Sequence, residues 1–225
     1  MTEPPRITPD LVRRWQAGWG LARRFRPAEE ARGGLHVVLG KPGRHYEVVA
    51  LHADDDPESL RNLAAEAAAA PLPTWLTVPT NHPDAVRAIV RDAGLSLPDE
   101  PEWFMTTDLS GHPRRTAPAP YECVAAVEGS VVEAEVRHPS AGVVARGSMA
   151  VIGTDAIADR IETDPSHRRL GLGSVVMGAL AERAMAQGAK AGILIASTEG
   201  RGLYAALGWA NNATVLIAKP AAPAA

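Results

Sequence analysis

The sequence predicts a mixed α/β fold in which strands alternate with amphipathic helices across two lobes. Three stretches carry this prediction. In the C-terminal half, Asp159-Arg160-Ile161-Glu162-Thr163-Asp164 reads as a strand closed by Pro165; a glycine-bearing bend then enters a helix on which Leu172, Val175, Val176, Ala179 and Leu180 repeat at i, i+3, i+4, i+7 and i+8. Gly192-Ile193-Leu194-Ile195-Ala196 has the length and β-branched content of a buried strand. Between His45 and Leu109 the N-terminal half spells out strand, helix, strand, helix, strand.

Taken in order, His45 to His52 alternates as a strand. Asp56-Pro57 opens a helix with Leu60, Leu63, Ala64 and Ala67 on one face, because proline is preorganised for the first helical position. Trp75 to Val78 is a short strand, Pro83 to Ala93 a helix stopped by Gly94, and Trp103 to Leu109 a closing strand. The proline-rich polar stretch after Ser110 reads as a linker, and Tyr121 to Val127 begins the second lobe as a strand. Beyond Ala196, Gly202-Leu203-Tyr204-Ala205-Ala206-Leu207-Gly208-Trp209 is a short helix capped by Gly208. The chain therefore divides into a lobe over 1–110, a linker over 111–120, a domain over 121–219 and a flexible tail over 220–225.

Composition bounds the function. With 225 residues, 46% hydrophobic and 22% charged, the chain can bury a sizeable core. A net charge of −3 leaves no footprint for nucleic acid, and Arg23, Arg24 and Arg26, like Arg114 and Arg115, are too short a run to make one. Cys123 is the single cysteine, so no disulfide can form within the chain, and the scattered histidines show no ligand spacing; no metal is implied. The first residues lack the pattern of a signal peptide and no apolar run reaches membrane-spanning length, so the expectation is a cytoplasmic protein without membrane contact.

The most informative run is Arg168-Arg169-Leu170-Gly171-Leu172-Gly173-Ser174, where two arginines and two glycines stand at a strand-to-helix junction. The first turn of a helix carries unpaired backbone N–H groups and the positive end of the dipole, and glycines let a diphosphate approach without a Cβ in the way. A dinucleotide fingerprint fits less well, since Val176 stands where a third small residue belongs. A Walker loop is excluded, because Gly40-Lys41-Pro42-Gly43 lacks both the spacing and the hydroxyl.

Two separated motifs in the right order make residues 120 to 218 resemble the GNAT family of N-acetyltransferases. The family's Arg/Gln-x-x-Gly-x-Gly/Ala signature is met by Arg168, Gly171 and Gly173, preceded by a loose Val-x-Pro at Thr163-Asp164-Pro165. Its Leu-Tyr-x-x-Leu-Gly-Phe segment is met by Leu203, Tyr204, Leu207, Gly208 and, conservatively, Trp209. A common Asn seven residues before the tyrosine is Ser197 here. The resemblance implies a GNAT-like twisted central sheet flanked by helices, and acyl transfer from acetyl-CoA, or another acyl-CoA, to a primary amine. Pyrophosphate would then lie on the amides of Arg168, Arg169, Leu170, Gly171, Leu172, Gly173 and Ser174. Pantetheine would run along the strand edge at Ile161 and Thr163 between two splayed strands, with Ser197 as a polar contact.

Direct attack of an amine on a thioester requires a deprotonated amine and a protonated leaving thiolate. Tyr204 is the expected acid, since a phenol at about 10 lies close to an alkyl thiol at about 8.5. Glu162 is the expected base, acting through a water, provided that Ile161 faces the packed helix and Glu162 the opposite side; a solvated or Arg160-paired carboxylate is the other reading. Glu122, Glu133, Glu135, Asp159 and His138 remain substitutes. A catalytically inactive acyl-CoA sensor is the alternative to an enzyme.

The N-terminal lobe resembles the second half of an acetyltransferase domain, but no Arg-x-x-Gly-x-Gly precedes the Pro57 helix. It reads as a degenerate half-domain that does not bind CoA and walls the acceptor site, with Trp15, Trp19, Trp75 and Trp103 as wall candidates. Strand-edge pairing through Ala213 to Ala218 offers a route to a homodimer.

Overall fold

The computed structural model describes residues 6–221. The first element, α1 (Pro9–Ala22), has no counterpart in the sequence reading; Thr8 caps it by accepting from the Leu11 N–H, and Pro9 fills its first turn. A hairpin follows, β1 (Glu29–Ala31) with β2 (Gly34–Lys41), and then the expected β3 (Arg44–Ala50), α2 (Pro57–Ala69), β4 (Thr74–Thr80) and α3 (Pro83–Asp92), an additional two-residue β5 (Leu95–Ser96), and the expected β6 (Glu102–Asp108). The second half is β7 (Glu122–Glu128), β8 (Val131–His138), β9 (Gly142–Ile152), β10 (Asp155–Thr163), α4 (Leu172–Ala186), β11 (Ala191–Ala196), α5 (Thr198–Ala206) and β12 (Ala210–Pro220). The helix expected from Gly202 starts earlier because the Ser197 hydroxyl caps it through the Gly200 N–H. Residues 222–225 of the expected tail lie outside the described residues.

All strands join one sheet in the order β1-β2-β3-β4-β12-β6-β11-β10-β9-β8-β7, with β5 on the side of β12. Two pairs are parallel, β3 with β4 and β10 with β11, each bridged by a helix, α2 or α4. The two halves thus repeat strand, helix, strand, helix, strand, but their last strands are exchanged. β6 from the first half pairs with β11, β12 from the second half pairs with β4, and the two lie side by side. β12 is therefore an interior strand between β4 and β6, with Thr214 and Val215 paired on both sides. The dimer route through Ala213 to Ala218 is corrected: β12 has a neighbour on each side and is not an edge strand.

The sheet separates two packing layers. On one face α2 and α3 cover Val48, Leu76, Val78 and Leu216, while α4 covers Val132, Val136, Met149, Ala156 and Leu194. On the other face α1 presses Val12, Trp15 and Trp19 against Leu35, Val49, Phe104, Ile157, Ile193 and Val215. Gly18 makes this approach possible, since a Cβ there would stand 2.4 Å from Ile157. Although it begins the chain, α1 is tied to the second half: Arg14 pairs with Asp155, and Arg23 with Asp159 at 2.7 Å.

The linker is not free of the domains it joins. Its backbone at Pro113 and Arg114 crosses α4 at Gly178, where a Cβ would meet Pro113 O at 3.1 Å. His112 anchors its start, with one ring nitrogen 3.1 Å from Pro113 O and the other accepting from the Trp209 indole N–H at 3.2 Å. Trp209 stands where the family motif carries phenylalanine, and His112 supplies the acceptor that its extra N–H needs.

Burial holds the His112 imidazole below its ordinary value of 6.5, against a smaller opposing effect of the Pro113 carbonyl. The unfolded chain then binds more protons than the folded one as pH falls through 6.5, so this contribution to stability is full above that value and is lost below it. Urea unfolding at pH 7 and at pH 5 is expected to show a smaller loss of stability on acidification in His112→Gln than in the parent protein. An equal loss would refute the assignment.

Candidate active site

The site begins where β10 and β11 part. Their parallel pairing covers only Asp155 to Ile157 against Ala191 to Ile193. Farther along, β10 continues on β9 to Thr163 and β11 continues on β6 to Ala196. Among the described residues no strand pairs with the inner edge of β10 from Ala158 to Thr163, and an extended chain can add there as a strand does. Ile161 and Thr163 lie on this edge.

At the end of that edge the bend into α4 is shaped for an anion. Arg169 (φ 63) and Gly171 (φ 76) are left-handed, and Gly171 caps α4 with no side-chain hydrogen bond to its amides. Alternating backbone handedness turns successive N–H groups inward, and a helix end without a side-chain cap keeps its donors available. Asp164 braces the approach by accepting from the Ser166 N–H and hydroxyl, which hold its carboxyl below its ordinary value. Gly173 has only the flexible Leu203 methyl close to where a Cβ would lie. The amides of Leu170, Gly171, Leu172 and Gly173 are thus free to meet an anion, with Leu172 contributing its backbone alone, since its side chain is buried, whereas the Ser174 N–H is taken by Gly171 O at 3.0 Å. Arg168 is engaged with Glu199 at 2.6 Å and Thr163 O at 3.3 Å, so it braces the bend; Arg169 and Leu170 are exposed.

On the α1 side of the sheet the splay opens into a cleft of about 430 Å³. Its walls come from both halves: Trp15 and Trp19 of α1, Arg23 at its C-terminal cap, Glu47 of β3, Thr77 of β4, Glu102 of β6, Asp159 to Glu162 of β10, Ser197, Tyr204 of α5 and Ile217 of β12. Tyr204 is buried, its ring 6.0 Å from that of Trp209. Burial, and secondarily the charge of Asp159, push its phenol far above the ordinary value, so it stays protonated throughout the working range. Ser197 lines the cleft while its oxygen caps α5 at 3.1 Å, which fixes the hydroxyl at the strand end. Trp15 and Trp19 belong to this wall. Trp75 does not, since its indole donates to Gly43 O at 2.8 Å, and Trp103 lies on the opposite face under Arg201 at 3.8 Å.

A β-bulge places the β10 carboxylates. Asp159 pairs with Ser148 and Glu162 with Arg146, so one residue of β9 faces two of β10, and Arg160 takes φ 54. Asp159 and Glu162, three apart, therefore share the cleft face, while Ile161 packs over Gly147 toward α4 as expected. Glu162 accepts from Arg146 at 2.8 Å, Asp159 from Arg23 at 2.7 and 2.8 Å, and Glu47 from Arg44 and from Thr77 at 2.7 Å. The Arg160-paired alternative for Glu162 is replaced by Arg146. Among the substitutes, Asp159 lies in the cleft, whereas Glu122, Glu133, Glu135 and His138 do not line it. Glu47 and Glu102 were not among the sequence candidates. Only long-range strand order brings them here.

Among the described residues, no group of three or more His, Cys, Asp or Glu is placed to hold a metal ion, and no helix is long and apolar enough to cross a membrane. Breaking the Arg23 pair would leave the nearly buried Asp159 carboxylate poorly compensated. Arg23→Met is expected to cost about 2 kcal/mol in denaturant unfolding at neutral pH, and less where Asp159 is protonated.

Residues 154–216, from β10 through most of β12, match the family of FR47-like proteins. No curated protein matches the sequence. Among solved structures, a GCN5-related N-acetyltransferase from Kribbella flavida superposes with a TM-score of 0.69 at 15% identity, covering 98% of this chain and 97% of its own. A tandem GNAT protein from the clavulanic acid biosynthesis pathway gives 0.61 at 15% identity over 99% and 91%, and a GCN5-related N-acetyltransferase from Sphaerobacter thermophilus gives 0.62 at 12% over 96% and 94%. The chain thus has the GNAT fold, built as two related halves, with the splayed strands and the glycine-bearing bend in the second.

Proposed function

We propose that this protein transfers an acyl group from acyl-CoA, acetyl-CoA being the simplest, to a primary amine. One observation carries the reading: a strand edge left open by the splay runs from an uncapped helix N-terminus into a cleft that holds a buried, protonated tyrosine. Bound acyl-CoA would supply an activated thioester. The amides from Leu170 to Gly173 would hold its diphosphate, with the dipole of α4 favouring the charge. The β10 edge at Ile161 and Thr163 would hydrogen-bond the pantetheine, and the Ser197 hydroxyl would contact it where β11 ends.

The chain's own groups then handle protons. The Tyr204 phenol, kept neutral by burial, donates a hydrogen bond to the sulfur as negative charge develops there; because burial makes it a weaker acid, its proton passes to the thiolate only as the proton leaving the acylated nitrogen replaces it. Carboxylates of the cleft receive the proton of the incoming ammonium. Glu162 can take part only by loosening its Arg146 pair, a half-exposed contact worth about 1 kcal/mol or less.

Two variants test the reading, with free thiol followed during incubation with acetyl-CoA and primary amines, and CoA affinity measured by calorimetry. Tyr204→Phe is expected to lower kcat by about 100-fold or more while leaving CoA affinity within a few-fold. Gly173→Asp, which sets a carboxylate among the diphosphate amides, is expected to weaken CoA binding by about tenfold or more through like-charge repulsion. Failure of the parent protein to bind CoA would refute the reading. Tight binding without thiol release from any amine would instead favour an acyl-CoA sensor.

A further inference from the structure

Four carboxylates face the cleft, and three of them are held: Glu47 by Arg44 and Thr77, Asp159 by Arg23, Glu162 by Arg146. Glu102 is different. Among the described residues its side chain has no hydrogen bond or ion pair, although the group is largely withdrawn from solvent. Its place follows from strand exchange: β6 runs beside β11 with Trp103 opposite Ala196, which sets Glu102 next to Ser197 at the mouth of the splay. Phe104, two residues on, is in the α1-side core, so Glu102 points into the cleft and away from α4.

We propose that Glu102, contributed by the first half of the chain, is the residue that receives the acceptor as an ammonium ion and takes its proton. The inference rests on the acyl-transfer reading and names its acceptor class, a cationic primary amine. The ammonium gives one proton to the Glu102 carboxylate, leaving a neutral amine and a neutral carboxyl group. The amine nitrogen bonds to the acyl carbon as the carbon–sulfur bond breaks, and the thiolate takes the Tyr204 proton. The second proton leaving nitrogen restores Tyr204, and Glu102 returns its own to solvent, so one proton is released per acyl group transferred.

Electrostatics suit Glu102 to this work. Burial is the main cause that raises its carboxyl above the ordinary value, and Glu47 adds to it, while Arg44 and Arg23 oppose. Asp159 and Glu162 from β10 and Tyr204 from α5 face the same space, and Arg160 is drawn aside to Ala22 O at 3.3 Å. A carboxylate with a raised pKa and no cation of its own is a better proton acceptor than one clamped by arginine. It also leaves an unfilled demand for positive charge that an ammonium satisfies.

The experiment measures acetyl-CoA turnover with butylamine, 1,4-diaminobutane, benzylamine and a lysine-containing peptide, from pH 5 to 9. Glu102→Gln is expected to lower kcat/KM for the amine about 100-fold and to remove the acidic limb of its pH profile, with KM for acetyl-CoA within twofold. Glu102→Asp is expected to retain part of the activity and the limb. Because the raised carboxyl destabilises the folded state above its ordinary value, Glu102→Gln should melt higher than the parent protein at pH 8, with the difference closing at pH 4. A parent protein that turns over while Glu102→Gln stays within threefold, or keeps the limb, would overturn the role of Glu102 and leave acyl transfer standing. A lower melting temperature of Glu102→Gln at pH 8 would overturn it as well. A parent protein that binds CoA yet releases no thiol with any of these amines would overturn both.

Discussion

The exchange of β6 and β12 is the constraint on which the molecule depends. Each half supplies the last strand of the other's sheet, so neither half can pair its inner edge alone. An unpaired edge of this length would expose a row of backbone donors and acceptors. The exchange removes that liability and makes the two lobes one sheet. It also decides the site. Because β6 reaches across, the first half delivers Glu102 to the end of β11; because β12 reaches back, Ile217 and Thr77 form the far wall of the cleft that Tyr204 closes.

Opening one parallel pair within a continuous sheet needs compensation, and it comes from both faces. On one side α4 buries Val175, Val176 and Leu180 against β8, β9 and β10. On the other, α1 holds β10 through Arg14 to Asp155 at the paired end and Arg23 to Asp159 at the parted end. These ion pairs bracket the point where β10 leaves β11. The bulge at Arg160 adds twist at the same place, which turns the free part of β10 away and brings Asp159 and Glu162 to one face.

Much of this was legible locally and the rest was not, for definite reasons. The period of Leu172, Val175, Val176 and Leu180 marks α4, and Arg168 to Ser174 marks the bend, because helix amphipathicity and glycine placement are encoded within a few residues. By contrast α1 carries Gly18 and Gly20 within its span, which disguises its apolar face; Gly18 is there for contact with Ile157, a partner far along the chain. The interior position of β12 cannot be read from its run of apolar residues, since the same run serves an edge strand or a central one. Glu102 illustrates the limit most clearly. In sequence it is one acid beside Pro101 and Glu100, and only the register of β6 on β11 makes it a neighbour of Ser197.

The two halves share a topology, so the difference between their equivalent helix ends needs a physical cause. In the second half the β10-to-α4 bend leaves its amides without a side-chain cap and carries Arg168 and Arg169 just before them. In the first half the connection from β3 to α2 carries Asp54, Asp55 and Asp56. Asp56 caps α2 by accepting from the Ser59 N–H at 3.0 Å, and Asp54 accepts from the Asn81 N–H at 2.8 Å and from Thr80. Asp56 therefore takes up one donor of the α2 N-terminus, and the charge of the three aspartates repels an anion there. Such capping stabilises α2 by about 1 kcal/mol, whereas the left-handed Arg169 and the uncapped α4 carry a comparable penalty that the fold absorbs elsewhere. That asymmetry separates the two halves: the second keeps an uncapped helix end beside the splay, and the first, whose equivalent end is capped, lends α1 and β6 to the walls of the cleft.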